Sequence, residues 1–159
     1  IESVKNVVAK GENKQYSFMR QIEAFGAAYQ HGIFAPDEVI RLFPRTEVYW
    51  ENKVHERPVC RLEKQRISGI LMHYTYDSWQ HWLNKAGQYT SIWAEDNFNK
   101  GKRVGKSAAF THGMYGFIRA YFLQLGFLDG WAGLYSSLQH FFYTLLKYWK
   151  LYEFQQKNK

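Results

Sequence analysis

The chain has 159 residues, which is long enough for one domain with a hydrophobic core of its own. Its single cysteine, Cys60, excludes an intramolecular disulfide and with it the class of disulfide-stabilised secreted scaffolds, so a reducing cytoplasm is the expected environment. The net charge of +7 and the 19% of aromatic residues favour an anionic partner such as a phospholipid surface. The basic residues are spread along the chain without a helix-turn-helix, zinc or RNA-binding signature, so no nucleic-acid partner is expected.

The amino-terminal part of the chain predicts one helix and one strand. Residues 1–10 carry three valines at helical spacing, and Gly11 supplies a stop signal. In residues 15–25, aromatic and polar side chains alternate as they do in a strand. The same stretch also fits a helix, and both interpretations remain open at this point.

Short apolar segments then predict further strands. Residues 39–43 and 47–50 are separated by Pro44-Arg45-Thr46, and this tight connection favours a hairpin between them. Residues 69–74 form another short apolar strand. These strands and the flanking helices indicate an α/β arrangement.

A longer helix is expected to begin after Asp77, which would cap it, and to extend to Phe98. The basic stretch GKRVGK, residues 101–106, breaks the pattern. The side chains expected on one face of this helix are Trp79, Trp82, Leu83 and Ala86.

Beyond residue 108 the pattern is helical, and Gly126 and Asp129-Gly130 divide it into a helical hairpin. Steps of three and four residues along the second helix define an apolar stripe that consists of Trp131, Leu134, Leu138, Phe141, Phe142, Leu145 and Trp149. No segment reaches the roughly 20 apolar residues of a membrane span. The hairpin is therefore an amphipathic anchor on a membrane surface, a helical pair that covers one face of the sheet, or both through different faces.

Four signatures follow one another in a fixed order: HGIFAPDEVIRLF at 31–43, VYWENKVHERPV at 48–59, GILMHYTY at 69–76 and YFLQLGFLDGWAGL at 121–134. Together they resemble the acceptor half of bacterial family 2 glycosyltransferases of the inverting GT-A type. The resemblance is strongest to enzymes that add glucose to the inner core of lipopolysaccharide or lipooligosaccharide, and it covers nearly the whole chain.

The fold that this resemblance implies is α/β and partial GT-A-like. It has a short mixed sheet with flanking helices, followed by a C-terminal aromatic-rich helical hairpin. Residues 1–106 would form the acceptor-side part of the domain, and residues 107–159 would form a helical extension of the same domain at the membrane interface.

The reaction that the resemblance implies is transfer of a hexose from a nucleotide sugar to a lipid-linked saccharide acceptor, with inversion. The enzyme would be cytoplasmic and peripheral to the inner membrane, and the complete enzyme would use Mg or Mn. The D-x-D motif that binds this metal does not occur in the 159 residues. We therefore expect the donor-binding half to lie outside this chain and the chain alone to be inactive. The rival hypothesis is a non-catalytic membrane-surface or protein-interaction module.

The resemblance places the general base at Glu56, in VHERPV. An inverting transfer needs such a base to take the proton of the acceptor hydroxyl. Considered by itself, the tripeptide VHE also fits a solvated strand end with an ion pair to Arg57 or Lys53. The neighbouring His55 is expected to shape the acceptor side of the site.

Three further residues are expected to bind substrate or metal. Arg41 lies inside an apolar strand, where it either orients a carboxylate or phosphate or reaches water from an edge strand. His31-Gly32 and Pro36-Asp37 resemble the loop that shapes the sugar pocket in such enzymes, where glycine permits close backbone approach, so Gly32 and Asp37 are expected to bind substrate. His73 is the candidate metal ligand by resemblance. It equally fits a structural histidine, because one imidazole holds a divalent ion weakly.

Overall fold

The computed structural model describes residues 2–51 and 57–158. Over these ranges the chain is mixed α/β, with four α-helices and six strands, and it divides into two compact units. One unit comprises Ile1–Gln21 and Pro36–His73, and the other Ile22–Ala35 and Tyr74–Lys159. The elements in chain order are α1 (Glu2–Lys10), β1 (Gln15–Ala24), β2 (Ala27–Ala28), β3 (Asp37–Leu42), β4 (Val48–Glu51), β5 (Arg57–Cys60), β6 (Lys64–Tyr76), α2 (Trp79–Asn99), α3 (Ala108–Ile118) and α4 (Gly130–Lys157).

The strand β1 is the centre of a small mixed sheet. β2 and β3 pair with it antiparallel, with Arg20 opposite Asp37 in the second pair. β6 also pairs with β1. The two strands are parallel, since backbone hydrogen bonds join Gln15 to Glu63 at one end and Phe25 to Tyr76 at the other. The strand interpretation of residues 15–25 is therefore confirmed, as is the predicted helix before Gly11.

The predicted hairpin between residues 39–43 and 47–50 is wrong. β3 pairs with β1, whereas β4 pairs antiparallel with β5 in a separate two-stranded sheet. A 3-10 turn at Arg45–Glu47 follows Pro44 between the two strands. The short apolar segments were identified correctly, but segment spacing does not reveal which edge of a strand is already occupied by another partner.

Aromatic rings form the core of the second unit. Tyr29 and Phe34 are buried and meet edge to face at 5.0 Å between ring centroids, and Tyr76 packs against them. Phe25 and Gly26 both have positive φ in the tight turn between β1 and β2. The Phe25 ring stacks on Trp79 at 4.6 Å, which compensates for the rare backbone conformation.

The helix α2 differs from its prediction at its start and in its packed face. Ser78, not Asp77, is the N-cap, because its hydroxyl accepts the backbone N–H of His81 at 3.2 Å. Trp79 and Leu83, predicted on the packed face, are exposed. The buried residues lie at four-residue steps and are Trp82, Ala86, Thr90 and Ala94. Most of these side chains are small, which permits the close packing of α2 on α4.

The predicted helical hairpin is confirmed, since α3 packs against α4, but the predicted apolar stripe packs only in part, with Phe141 against Gly113 of α3. Small residues occupy many of the fully buried positions, namely Ala109, Gly113, Gly116 and Ala120 before the turn and Gly133, Ser136, Ser137 and Thr144 after it. Trp131, Phe142 and Trp149 of the stripe are exposed. In the described ranges no helix is both long enough and apolar enough to cross a bilayer.

Candidate functional site

The first and the last of the four signatures meet in the second unit. Asp129 Oδ1 lies 2.8 Å from Nδ1 of His31, and Asp129 Oδ2 accepts the backbone N–H groups of His31 and Gln30 at 2.9 and 3.0 Å. The Gly32 N–H donates to the carbonyl of Gln124 at 2.9 Å. These bonds attach the loop after β2 to the turn between α3 and α4, although the segments are 98 residues apart in sequence.

The Asp129 carboxylate fixes the orientation of the His31 ring. The Asp129 side chain is 9% exposed and the His31 side chain is 34% exposed. The pair therefore lies at the surface, with the carboxylate on the inner side. A carboxylate only accepts hydrogen bonds, which assigns the proton of the neutral imidazole to Nδ1 and makes Nε2 the ring's acceptor. Tyr29 is buried close by, and its burial, together with the negative charge of Asp129, raises the pKa of its hydroxyl.

Gly32 is a buried part of the same loop. Its φ of +68° belongs to the left-handed region, and a Cβ built on it would lie 3.4 Å from Gly126 Cα and 3.6 Å from the Ala120 carbonyl oxygen. These are ordinary contact distances, so the backbone conformation, more than lack of space, favours glycine at this position. The close backbone approach is thus towards the α3–α4 turn. A role for Gly32 in substrate binding stays a prediction.

Asp37 and Arg41 lie on the same face of β3 in the first unit, because they are four residues apart on a strand. Asp37 forms a bidentate ion pair with Arg20, at 2.8 Å from Nε and 2.7 Å from Nη2. Arg41 is exposed, and its Nη1 donates to the carbonyl of Ile40 at 3.2 Å. Among the described strands β3 pairs with β1 alone, so the guanidinium reaches solvent from an edge strand. The roles predicted for both residues in substrate binding remain predictions.

Of the remaining predicted site residues, only His73 lies in the described part of the chain. His73 is an exposed residue of β6 in the first unit. Residues 2–51 and 57–158 contain no group of three His, Cys, Asp or Glu side chains that could hold a metal ion. Glu56 and His55 lie outside the described residues. The described part of the chain therefore supplies no ligand set for the expected Mg or Mn ion.

Sequence reasoning missed a polar cleft in the second unit. Its charged and polar rim is formed by Glu23, Asp77 and His81, and its aromatic walls by Tyr74 and Tyr76. The His81 ring nitrogen Nδ1 bonds to the Asp77 carboxylate, and this bond lowers the pKa of that carboxyl group. Carboxylates accept hydrogen bonds from hydroxyl groups and rings pack against C–H faces, a combination that suits a saccharide. The i,i+4 spacing of Asp77 and His81 was the available sequence signal.

Comparison with known proteins gives relatives that are named glycosyltransferases. The chain is 30% identical over 138 residues, 80% of its length, to an uncharacterized glycosyltransferase of Rickettsia typhi. It is 29% identical over 93 residues, 58% of its length, to an uncharacterized glycosyltransferase of Rickettsia prowazekii. The chain spans about half the length of the first relative, at 47%, and 32% of the second. No family model matches the chain, and no solved structure does.

The chain is thus similar to proteins named glycosyltransferases over less than half of their own length. Their names agree with the class to which the four sequence signatures pointed. His31 and Asp129 belong to those signatures, but neither was selected as a site residue from the sequence. The Asp-Gly pair at the start of a long helix was the signal available for Asp129.

Proposed function

We propose that this chain is the acceptor side of a glycosyltransferase with a partial GT-A-like fold. The reaction is transfer of a hexose such as glucose from a nucleotide sugar to a lipopolysaccharide inner-core acceptor, with inversion at the anomeric carbon. The observation that carries this proposal is the similarity to named glycosyltransferases over 80% of the chain. The bonded His31–Asp129 pair adds support, because it joins two of the four signatures.

In this mechanism Glu56 acts as the general base. It takes the proton of the acceptor hydroxyl while that oxygen bonds to the anomeric carbon, and the nucleoside diphosphate leaves from the opposite face. His55, Arg41, Asp37 and Gly32 contribute to the acceptor side. A divalent cation, when bound to the complete enzyme, would neutralise charge on the leaving diphosphate. The described residues do not supply its ligands, so no step assigned to this chain depends on it.

His31 is a second candidate for contact with the acceptor. Its Nε2 is the acceptor atom of a ring that Asp129 orients, an arrangement in which an imidazole can take a proton from a hydroxyl group. Asp129 would then be a positioning residue, since it acts through His31. The pair would work at the cytoplasmic face of the inner membrane, where we propose that the enzyme is peripherally bound.

The experiment that tests the base measures transfer of labelled sugar to a lipopolysaccharide core acceptor by the protein at its native length. We expect Glu56→Gln to lower kcat by at least about a hundredfold, because the amide cannot take the proton. Glu47→Gln, a change at an exposed glutamate of the 3-10 turn before β4, serves as the matched control and should leave kcat unchanged. Retained transfer by the Glu56 variant would remove this residue as the base.

The second candidate function is a non-catalytic membrane-surface or protein-interaction module. The exposed aromatic side chains of the α3–α4 hairpin favour it, because they require a partner but not a donor site. A native-length protein that transfers no sugar from any nucleotide donor, yet binds membranes, would establish this function in place of the transferase.

A further inference from the structure

The outward side of α4 carries apolar residues at the spacing of a coiled coil. Steps of four and three residues alternate along it, so large side chains stay on one side of the helix over about two and a half heptads. We call these residues the α4 seam: Trp131, Tyr135, Leu138, Phe142, Leu145 and Trp149. Its four aromatic side chains are between 51% and 73% exposed, and its two leucines are half-buried. A helix presents this spacing to a second helix, so a helical partner is expected for the seam.

The described neighbours of α4 pack mainly on its other side. Gly133, Thr144 and Leu151 are buried, and at 3.6 residues per turn they lie opposite to Trp131. A Cβ on Gly116 of α3 would lie 3.6 Å from the Thr144 hydroxyl oxygen, so α3 approaches α4 from that side. The contact within the hairpin therefore leaves the rings of the seam exposed.

The seam is free of charged side chains. Residues 130–149 contain a single Lys, Arg, Asp or Glu, which is Lys147. Its ammonium group lies 4.9 Å from the centroid of the Trp93 ring of α2. Lys150 also turns to α2, where it donates to the carbonyl of Gly87 at 2.8 Å. Aromatic enrichment with depletion of charge is typical of the core of a protein interface, and a neutral seam opposes no like charge on a second copy of itself.

The seam is also complementary to itself in an antiparallel arrangement. When two α4 helices are aligned antiparallel about residue 140, each seam position faces another seam position of the second copy. The facing pairs are then Trp131 with Trp149, Tyr135 with Leu145, and Leu138 with Phe142. Each pair occurs twice about a twofold axis, as in a closed symmetric dimer, and the two helix dipoles oppose each other.

The area of the seam is sufficient for a specific interface. Its four exposed rings contribute roughly 500 Å² on each copy. Two copies would therefore bury about 1,000 Å² before the leucines are included, which reaches the lower limit for a specific interface. Phe110 of α3 is 59% exposed and lines a groove with Leu145 and Trp149, so it extends the apolar area. Lys106 lines the same groove, in keeping with the polar rim of protein interfaces.

We propose that the protein is a homodimer in which two copies pack their α4 seams against each other in an antiparallel arrangement. A second copy suits the seam better than an anionic bilayer does, because the seam has no cation of its own for lipid phosphates and has the spacing of paired helices. The proposal goes beyond the transferase reaction and is independent of it, since dimerisation is measured without sugar transfer.

Sedimentation equilibrium of the native-length protein over a range of concentrations tests the dimer. We expect Tyr135→Ser with Phe142→Ser to raise the Kd of dimerisation at least about a hundredfold, because each copy loses two interface rings. Tyr49→Ser with Trp50→Ser on β4 is the matched control. These two side chains are 52% and 57% exposed, close to the 51% and 52% of the seam pair, and their replacement should leave the Kd unchanged.

Disulfide cross-linking tests the antiparallel arrangement, in native-length protein whose other cysteines, Cys60 included, are replaced by serine. Tyr135→Cys with Leu145→Cys should give a covalent dimer on oxidation, because these positions face each other between copies. On one helix they are about 15 Å apart, too far for a disulfide within a chain. Tyr135→Cys alone should give no covalent dimer, and a dimer from this single variant would contradict the antiparallel arrangement.

A parent protein that stays monomeric at every concentration would overturn the proposal, as would a Tyr135→Ser, Phe142→Ser variant that dimerises like the parent. Flotation with anionic vesicles that these serine replacements abolish, while the dimer is unchanged, would make a lipid surface the occupant of the seam and would also overturn it. Should the serine variant fail to fold by circular dichroism, the paired cysteine variant decides, and no covalent dimer on its oxidation would refute the packing.

Discussion

A single carboxylate, that of Asp129, holds the candidate site together. It accepts two backbone N–H groups and one ring N–H while its side chain is almost buried. The exposed carboxylate of Asp96, by comparison, has an ion pair with Lys100. Removing a nearly buried acceptor that three donors share costs more than breaking an exposed ion pair, because water replaces the lost bonds less well in the first case.

Replacement of Asp129 by alanine is expected to lower the free energy of unfolding by about 2–3 kcal/mol. Asp129→Asn should lower the free energy of unfolding by less. The asparagine oxygen still accepts the backbone N–H groups, and the asparagine N–H can donate to Nδ1 of His31. That change moves the ring proton to Nε2. If His31 takes the acceptor proton, Asp129→Asn therefore reduces kcat by at least about a hundredfold while the fold persists.

Urea unfolding and transfer assays on both variants check these expectations. Asp96→Ala is the control, and it should change the free energy of unfolding by less than about 1 kcal/mol because the ion pair with Lys100 is exposed. Equal stability of the Asp129→Ala and parent proteins would show that the carboxylate does not anchor the loop. Unchanged kcat in Asp129→Asn would exclude Nε2 of His31 as the proton acceptor.

His140 makes the stability of the hairpin depend on pH. Burial lowers the pKa of its imidazole, and the positive charges of Lys147 and Arg119 lower it further. The unfolded chain therefore binds a proton more readily than the folded chain does. Stability is complete above the unfolded pKa of about 6.5 and decreases as the pH falls from there towards the folded pKa.

Urea unfolding at a series of pH values between about 7.5 and 5 measures this slope. We expect His140→Gln to be less dependent on pH over that interval than the parent, since glutamine does not titrate. An identical slope in the variant and the parent would assign the acid sensitivity to other groups.

At the scale of the elements, backbone contact between α4 and the preceding turn determines the hairpin. A Cβ on Gly133 would overlap the carbonyl of Gly126, and one on Gly126 would lie 2.7 Å from the Ala120 carbonyl oxygen. The turn that carries Asp129 is thus packed directly against the first turns of α4. Glycine is required at these positions because no side chain fits between the backbones.

Gly133→Ala is expected to destabilise the protein by about 3 kcal/mol, because the backbone of the turn must move to relieve the overlap. Gly87→Ala in α2 is the matched control. Its Cβ meets nothing within 4 Å, so the reduced entropy of the unfolded chain should stabilise the protein by about 0.5–1 kcal/mol. Shifts of the same sign in the two urea midpoints would contradict this account of the α4 contact.

The helix α4 also shows what periodicity predicts and what it does not. The three- and four-residue steps identified a stripe on one face of a helix, and the helix is present. The packed face was predicted only in part: Phe141 of the stripe lies against Gly113 of α3, whereas Trp131, Phe142 and Trp149 are exposed. In the same way, the apolar segments near Pro44 predicted strands but not their pairing.

At the scale of the whole molecule, the chain spans only part of the length of its relatives. The 159 residues contain no D-x-D motif, and the chain spans 47% of the length of its Rickettsia typhi relative. In nucleotide sites Mg²⁺ is usually held by one or two protein carboxylates together with the phosphates of the substrate. The transferase proposal therefore assigns donor binding to polypeptide outside this chain.

Calorimetric titration of the isolated 159-residue chain with nucleotide sugars and Mg or Mn is expected to give no heat of binding, and the chain is expected to transfer no sugar. The native-length protein should bind with a metal-dependent heat, and intact mass establishes its length. Transfer by the isolated chain, free of contaminating enzyme, would show that the donor site lies within these residues.

The sequence by itself determined the mixed α/β class of fold, most of the helices and strands and the helical hairpin, because local periodicity and turn residues are properties of adjacent residues. Tertiary structure decided the pairing of β4 with β5, the outward orientation of Trp131, Phe142 and Trp149 and the bond between His31 and Asp129. Each of these depends on which distant segments approach closely, and such proximity is fixed by packing among elements and not by local pattern.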